Sequence, residues 1–342
     1  MTTWGTVSLV DEPVELLLAF AAWHLHAGAS EIHLFLDRAR PEDAEKLGAL
    51  PGVIVTLCDS AFWKENGGRK NLQTGRQAVV ANLVYAKTKL DWLAHIDADE
   101  FLVSQTSIAS ELGALPAGVQ VMKCPVRERA WPVNGSVKSI FDGLFRVPMS
   151  GGQRVMEAIM EFESMFADRG LFGHTSGKTF VRTGLGKMIT MGIHTPECTQ
   201  PLTRIDSKLT KLLHFDGLTP FHWLVKRMRY GTLPHAEKHV GSENYRWVQI
   251  QTMREMPSVW HARRFQKQVI MLSDERIAQL SALGLLVDAP KFEPIKAIQA
   301  VLPGREVDLS IGRFNRSIRA RDAEMLTQID VRKGRKSSKG PA

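Results

Sequence analysis

The sequence predicts an α/β protein built on a Rossmann-like, mostly parallel sheet with flanking helices. Three observations carry that expectation. Strand-length apolar runs alternate with helical stretches through the first hundred residues, the pattern of a doubly wound sheet. Each run ends at or beside a carboxylate: Asp11, Asp37, Asp59 or Asp97. Gly and Pro-Gly steps separate the helices from the strands that follow.

The elements follow in order. Residues 6–10 form an apolar strand closed by Asp11-Glu12-Pro13. Asp11 is placed to cap the next helix, and Pro13 sits early in it. Leu16, Leu17, Phe20, Trp23 and Ala27 recur at helical spacing, and Gly28 is suited to the left-handed turn that ends a helix. Residues 32–36 read as a second strand ending at Asp37. A short helix from Pro41 to Leu50 stops at Pro51-Gly52, and residues 53–57 form the third strand. A longer helix spans about 72–90, with Val79, Leu83 and Ala86 on one face. Residues 92–96 are the fourth strand, running into Asp97. Ligands of open sheets gather outside the carboxyl ends of the strands, so these four acids point to one functional rim. Crowded acids repel one another, and a divalent cation would relieve that.

The second half is less periodic. Short strands are expected at 118–122, 178–181, 188–193 and 212–215, with a charged loop at 127–135. A helix carrying Trp223, Lys226, Arg227 and Arg229 follows. Ser273 is placed to cap a helix through Leu283 that Gly284 ends. No internal repeat is visible. Gly173-His174-Thr175-Ser176-Gly177-Lys178-Thr179 looks like a phosphate loop but has three residues between its glycines where four are needed. A turn leading into a strand is the better reading.

Composition narrows the function. The 342 residues are 44% hydrophobic and 23% charged, with a formal net charge of +8. Five cations of the acid-free tail 331–342 (Arg332, Lys333, Arg335, Lys336 and Lys339) supply most of that charge, leaving +3 elsewhere. The tail has no aromatics for base stacking, so no nucleic-acid partner is expected. It reads as a disordered, solubilising end, with weak attraction to an anionic membrane face as the alternative. The longest apolar run, 16–23, is far short of the ~20 residues of a membrane span. Cys58, Cys124 and Cys198 fit neither a zinc site nor a disulfide framework. A cytoplasmic protein, with membrane association as the alternative, is expected.

The sharpest chemical signal is Trp92-Leu93-Ala94-His95-Ile96-Asp97-Ala98-Asp99-Glu100-Phe101. An apolar strand delivers two carboxylates, one residue apart, onto a turn. Mg²⁺ or Mn²⁺ takes oxygen ligands and typically combines one or two carboxylates with substrate phosphates. Such a cation can stabilise a diphosphate leaving group.

Asp97-Ala98-Asp99-Glu100-Phe101-Leu102 resembles the signature of the bacterial glycosyltransferase family 2-like proteins, related to the family 92 (domain of unknown function 23) transferases. The helix from Glu15 to Gly28, with Trp23 and His24, is similar to that family's early helix. Gln77, Lys178, Gly192-Ile193-His194 and Leu213-His214-Phe215 are similar to later blocks. The resemblance covers about residues 6–231. It implies a GT-A-type fold, placed over residues 1–235; a mostly helical region at 236–328 and the disordered basic tail at 329–342 are expected to follow. It also implies a nucleotide-diphosphate sugar donor, a glycan acceptor, Mn²⁺ or Mg²⁺, and a place in surface polysaccharide synthesis. Asp97, Asp99 and His194 would hold the metal, with His214 in reserve. Asp11, Glu12 and Asp37 would contact the nucleoside, and Arg76 and Lys178 the phosphates. Val10-Asp11-Glu12 replaces the family's usual Lys-Asn-Glu, and residues 38–43 lack its usual serine. Glu161, Glu163, Asp168 and Asp216 are candidates for a catalytic base, unranked. Two rivals stand beside this reading. One is a phosphohydrolase using the two aspartates; the other is a GT-A-like protein that binds nucleotide or glycan without turnover.

Overall fold

The computed structural model describes residues 1–135, 137–232, 244–256, 259–289 and 291–327, so the expected tail at 329–342 lies outside the described residues. The chain forms two units, each assembled from separate stretches. Met1–Val126, Ser176–His214 and Pro290–Val307 make the first; Arg127–Thr175, Phe215–Ala289 and Asp308–Ala342 make the second.

The first unit is organised by a mixed, parallel-rich sheet. Its strands are β1 (Trp4–Val10), β2 (Glu31–Leu36), β3 (Val53–Leu57), β4 (Trp92–His95), β6 (Val121–Cys124), β9 (Lys178–Arg182) and β12 (Arg204–Asp206). They lie in the order β12-β6-β9-β4-β1-β2-β3. The pairs β1–β2, β2–β3, β1–β4 and β12–β6 are parallel, and β9 runs antiparallel to both neighbours. All seven residues of β1 are buried, as expected of a central strand covered on both faces. Beyond β4 the chain turns into β5 (Glu100–Ser104), which pairs antiparallel with β13 (Thr210–His214).

Helix α1 (Val14–His26) is buried from Glu15 through His24, so it needs cover on more than one side. The late helix α11 (Pro294–Val301) provides part of it by packing directly against α1. Just before that helix, Phe292 packs its ring edge-on to Trp23 and Phe101, at 4.7 and 5.1 Å between centroids. Trp23 Nε1 donates to the Leu102 carbonyl at 2.7 Å. His24 Nε2 accepts from Leu102 N–H at 3.3 Å, which leaves Nδ1 to donate to the Phe20 carbonyl at 2.9 Å. These bonds tie α1 to β5.

Several local expectations are corrected. Asp11 does not cap α1; Pro13 occupies that position without a side-chain cap, and the Asp11 carboxylate is taken by an arginine. Asp59, by contrast, does cap a helix, α3 (Ser60–Glu65), accepting from Phe62 N–H at 2.8 Å. The strand expected at 188–193 is two residues long, β10 (Ile189–Thr190), paired with β11 (Glu197–Cys198).

The loop expected at 127–135 is largely a strand, β7 (Val126–Pro132), and most of it belongs to the second unit. Its charges misled because they are buried and paired. Glu128 accepts the N–H groups of Phe172 and Gly173 at 2.7 and 2.5 Å. Arg129 stacks over Trp131 at 3.5 Å and donates to the Gly217 carbonyl at 2.6 Å. In this unit β8 (Leu144–Arg146) is antiparallel to both β7 and β15 (Leu286–Val287), and β14 (Met271–Leu272) is parallel to β7. The accompanying helices include α6 (Gly152–Met160), α7 (Pro220–Thr232), α8 (Tyr245–Glu255), α9 (Val259–Ile270), α10 (Asp274–Ala282) and α12 (Ile311–Arg321). Ser273 caps α10 through Arg276 N–H, and Gly284 follows it at φ +67°, as the sequence indicated. Trp131, Phe172, Trp223 and Phe265 anchor the core.

Burial lowers the His24 imidazole to about 4, against a partial rise from its bond to Phe20. The unfolded chain therefore gains a proton below about pH 6.5 that the folded chain refuses until about pH 4. His24 should drain stability across that window by about 3 kcal/mol on acidification. Urea unfolding at about pH 7.5 and about pH 5 checks this: His24→Gln should show a shallower acid loss than the wild type.

Candidate active site

The order β3-β2-β1-β4 reverses direction at β1, and open sheets bind ligands beyond the strand ends at such a point. The carboxyl ends of β1 and β4 deliver Asp11-Glu12 and Asp97 there. The acid crowd expected at this rim is largely neutralised by arginines. Arg38 grips Asp11 with two bonds, Nε to Oδ1 at 2.7 Å and Nη2 to Oδ2 at 2.6 Å. Asp37 accepts from Arg69 at 2.9 Å and from Arg76 Nη2 at 2.9 Å. Arg76 spends its Nη1 on the carbonyls of Lys70 and Asn71. The Asp11 side chain is committed to Arg38, and the Arg76 guanidinium serves to hold Asp37 and the loop before α4 (Gln73–Tyr85). Glu12 accepts the Asp11 N–H at 2.8 Å and receives Arg40 on its carbonyl.

The acidic turn after β4 is built differently. Asp97 N–H donates to the Glu100 carboxylate at 2.9 Å, while Glu100 N–H donates back to the Asp97 carbonyl at 3.0 Å. This reciprocal pair fixes the four-residue turn. Lys178, the first residue of β9, reaches into it with its side chain only 1% exposed. Its Nζ lies 2.8 Å from Asp97 Oδ2, 3.0 Å from the Ile193 carbonyl and 3.3 Å from Glu100 Oε2. Gln77, from α4, donates to the other Asp97 oxygen. Asp97 keeps some solvent access, at 29% for its side chain; Asp99 and Glu100 are buried.

Electrostatics at this turn follow from one ammonium serving two carboxylates. Burial alone would raise Asp97, but Lys178, followed by His95, outweighs it and holds the carboxyl well below the usual range. For Glu100 burial dominates: it is pushed up to about 7, with Lys178 opposing and Asp97 adding. Lys178 itself is opposed by burial, and the two carboxylates still raise it.

His95 precedes Asp97 by two residues, so the strand's alternation turns it toward the same face. Its Nδ1 is 3.3 Å from Lys178 Nζ and 3.3 Å from the Ile193 carbonyl. Its Nε2 is buried without a hydrogen-bond partner among the described residues. Burial and Lys178 lower the ring to about 4, so it is neutral at pH 7. The sequence reading gave His95 no role; its spacing from Asp97 was the available signal. Lys178, expected to contact phosphate, is the buried partner of the turn, at the head of an apolar strand. Gly177 makes that placement possible: φ is +67°, and a Cβ there would meet the Cys124 carbonyl oxygen at 2.3 Å.

The two candidate histidines lie in the same unit. His194 is half-buried, its Nδ1 3.0 Å from the Gly177 carbonyl, and its own carbonyl accepts from Thr179 Oγ1. His214 ends β13 directly across from Glu100 in the antiparallel register and is buried. The four candidate bases all belong to the second unit. Glu161 is exposed with φ +52°, Glu163 sits 3.9 Å from Arg276, and Asp168 accepts the Thr175 hydroxyl. Asp216 is buried beside Arg227, Lys226 and Arg246. Burial would raise its carboxyl, but Arg227 and Lys226 keep it well below the usual range, a poor proton acceptor.

No protein-family model and no curated protein matches this sequence. Among solved structures, HddC from Yersinia pseudotuberculosis is 12% identical, over 62% of this chain and 93% of that one, with a TM-score of 0.32. Residues 1–349 of TarS from S. aureus are 11% identical, over 82% and 83%, with a TM-score of 0.32. The glycosyltransferase GlyE of Streptococcus pneumoniae TIGR4 is 15% identical, over 36% and 30%, with a TM-score of 0.24. Likeness this low carries no argument about activity.

Removing the ammonium should leave two buried carboxylates facing each other. Lys178→Met is expected to lower stability by about 3–5 kcal/mol in urea unfolding at neutral pH. Adding Glu100→Gln should recover a large part of that loss, because it deletes the more deeply buried of the two charges.

Proposed function

We propose that the first unit is the nucleotide-sugar site of a GT-A-type glycosyltransferase. The observation that carries this reading is the Asp97–Glu100 turn at the sheet's reversal point, where the carboxylates of Asp97 and Glu100 share a single buried ammonium and Asp99 lies between them in the chain. That set is short of positive charge, and its donors are hard oxygens, so it suits Mg²⁺ or Mn²⁺. Asp99 and the remaining lone pairs of Asp97 would hold the ion, with His194 as a further ligand and His214 in reserve. A bound cation would supply charge stabilisation to a diphosphate leaving group.

The chain's own residues then have distinct tasks. Lys178 and Gln77 fix both Asp97 oxygens, so the carboxylate presents one orientation to the ligand. The Asp97–Glu100 backbone pair keeps Asp99 on the turn. The fixed rim beyond β1, with Asp11, Glu12 and the Asp37–Arg76 pair, would receive the nucleoside. The acceptor, a glycan hydroxyl in this reading, must lose a proton to a carboxylate base. Release of free phosphate from simple phosphoesters would instead favour a phosphohydrolase with Asp97 as its nucleophile.

Titration calorimetry with uridine and guanosine diphosphates, with and without Mn²⁺, tests the site. Metal-dependent binding is expected, and Asp99→Ala should weaken it about 100-fold or more while the melting temperature stays within a few degrees. Unchanged diphosphate affinity in Asp99→Ala would remove the site. A panel of nucleotide sugars assayed for Mn²⁺-dependent hydrolysis separates a working transferase from a protein that only binds. Tight binding without turnover of any donor would favour the latter.

A further inference from the structure

The second unit holds a cavity of about 390 Å³, the size of ordinary small-molecule sites. Met149, Met160, Phe172 and Leu280 make most of its wall apolar. Its charged lining is unbalanced: Arg146, Lys267 and Arg276 face it against one carboxylate, Glu163. Glu163 already sits 3.9 Å from Arg276, whose Nη1 also donates to the Ile159 carbonyl and to Gln279.

Arg146 is the telling residue. It is 4% exposed, packed over the Phe172 ring at 4.8 Å, and makes one long hydrogen bond, from Nη2 to the Ile270 carbonyl at 3.3 Å. A guanidinium offers five N–H donors in a fixed fork. Its charge is offset by Glu128, directly across from it in the β7–β8 register, and by Glu163. With one hydrogen bond among the described residues, that fork has donors left at the wall of the cavity it lines, a fit for an anionic head group.

The approach is also amphipathic. Lys267 and Gln268 line the cavity from α9, which contains no acidic residue. Trp260, Arg264 and Lys267 follow at helical spacing along α9, with Trp260 62% exposed and Arg264 stacked on it at 5.8 Å. On either side of Glu163, Phe162 and Met165 are more than half exposed. Exposed aromatic and thioether groups beside cations suit a ligand with an apolar tail and a charged head.

We propose that this cavity binds an amphipathic anion, an aliphatic chain ending in a carboxylate or phosphate, with the head on Arg146 and the tail among the methionines and leucines. The proposal stands whether or not the first unit is a transferase.

Calorimetry on the full chain tests it, using dodecanoate and dodecyl phosphate below their micelle concentrations. Dodecanol serves as the uncharged control and butyrate as the tail-less one. Both long anions should bind, with dodecanol about tenfold weaker or more and butyrate not at all. Arg146→Met should reduce the anions to the level of dodecanol, and Leu285→Trp, which fills the cavity without changing charge, should abolish all binding. Melting curves accompany each variant; if Arg146→Met fails to fold, Leu285→Trp and the dodecanol control still decide. No binding by the wild type, equal binding of dodecanol and dodecanoate, or unaltered binding by Leu285→Trp overturns the proposal. So does adsorption to phosphatidylglycerol vesicles without binding of the monomeric anions, which would make this an exposed docking face instead.

Discussion

The first unit depends on one ammonium placed where two carboxylates need it. Lys178 enters from an antiparallel strand that lies between β4 and β6 and ends up bonded to Asp97, near Glu100 and under the Ile193 carbonyl. Taking three ionisable groups out of water is costly, and mutual attraction offsets that cost only when geometry and extra hydrogen bonds are good. Here the extra bonds come from Gln77, the Asp97–Glu100 backbone exchange and the Ile193 carbonyl. The arrangement therefore links α4, β4, β5 and β9 at one point.

Burying charge in this way shapes the second unit as well, by a different device. Glu128 is held by two backbone N–H groups, Arg129 by carbonyls and a tryptophan face, and Asp216 by a cluster of cations. Burial pushes Glu128 up to about 7, with Asp216 adding and Arg146 opposing. Arg146 lies across the strands from Glu128, which offsets its charge, with a ring beneath it, one long hydrogen bond and the cavity beside it.

The legible part of the fold was the part with a clean period. β1 to β4, their helices and the Gly28 and Gly284 stops follow from apolar spacing and turn chemistry. β7 was missed because Glu128 and Arg129 look solvated in one dimension, and only the partners supplied from 142, 172–173 and 217 make them compatible with a strand interior. β5 was missed because Glu100 reads as a continuation of the acidic turn. At the rim, carboxylate positions were visible in the sequence, but their partners were not. Arg38, Arg69 and Arg76 lie 27 to 39 residues from the acids they neutralise, and nothing in local spacing announces them. Lys178 lies 81 residues from Asp97, so only the sheet order could make it a neighbour.

The return of Pro290–Val307 to the first unit has a bearing on how the protein is made. While the chain is being synthesised, α1 and Trp23 emerge long before the helix and the Phe292 ring that cover them. Until then that surface stays bare, and a ribosome-bound chain must keep it from neighbouring nascent chains. The early part of the first unit thus waits on distant sequence for its cover.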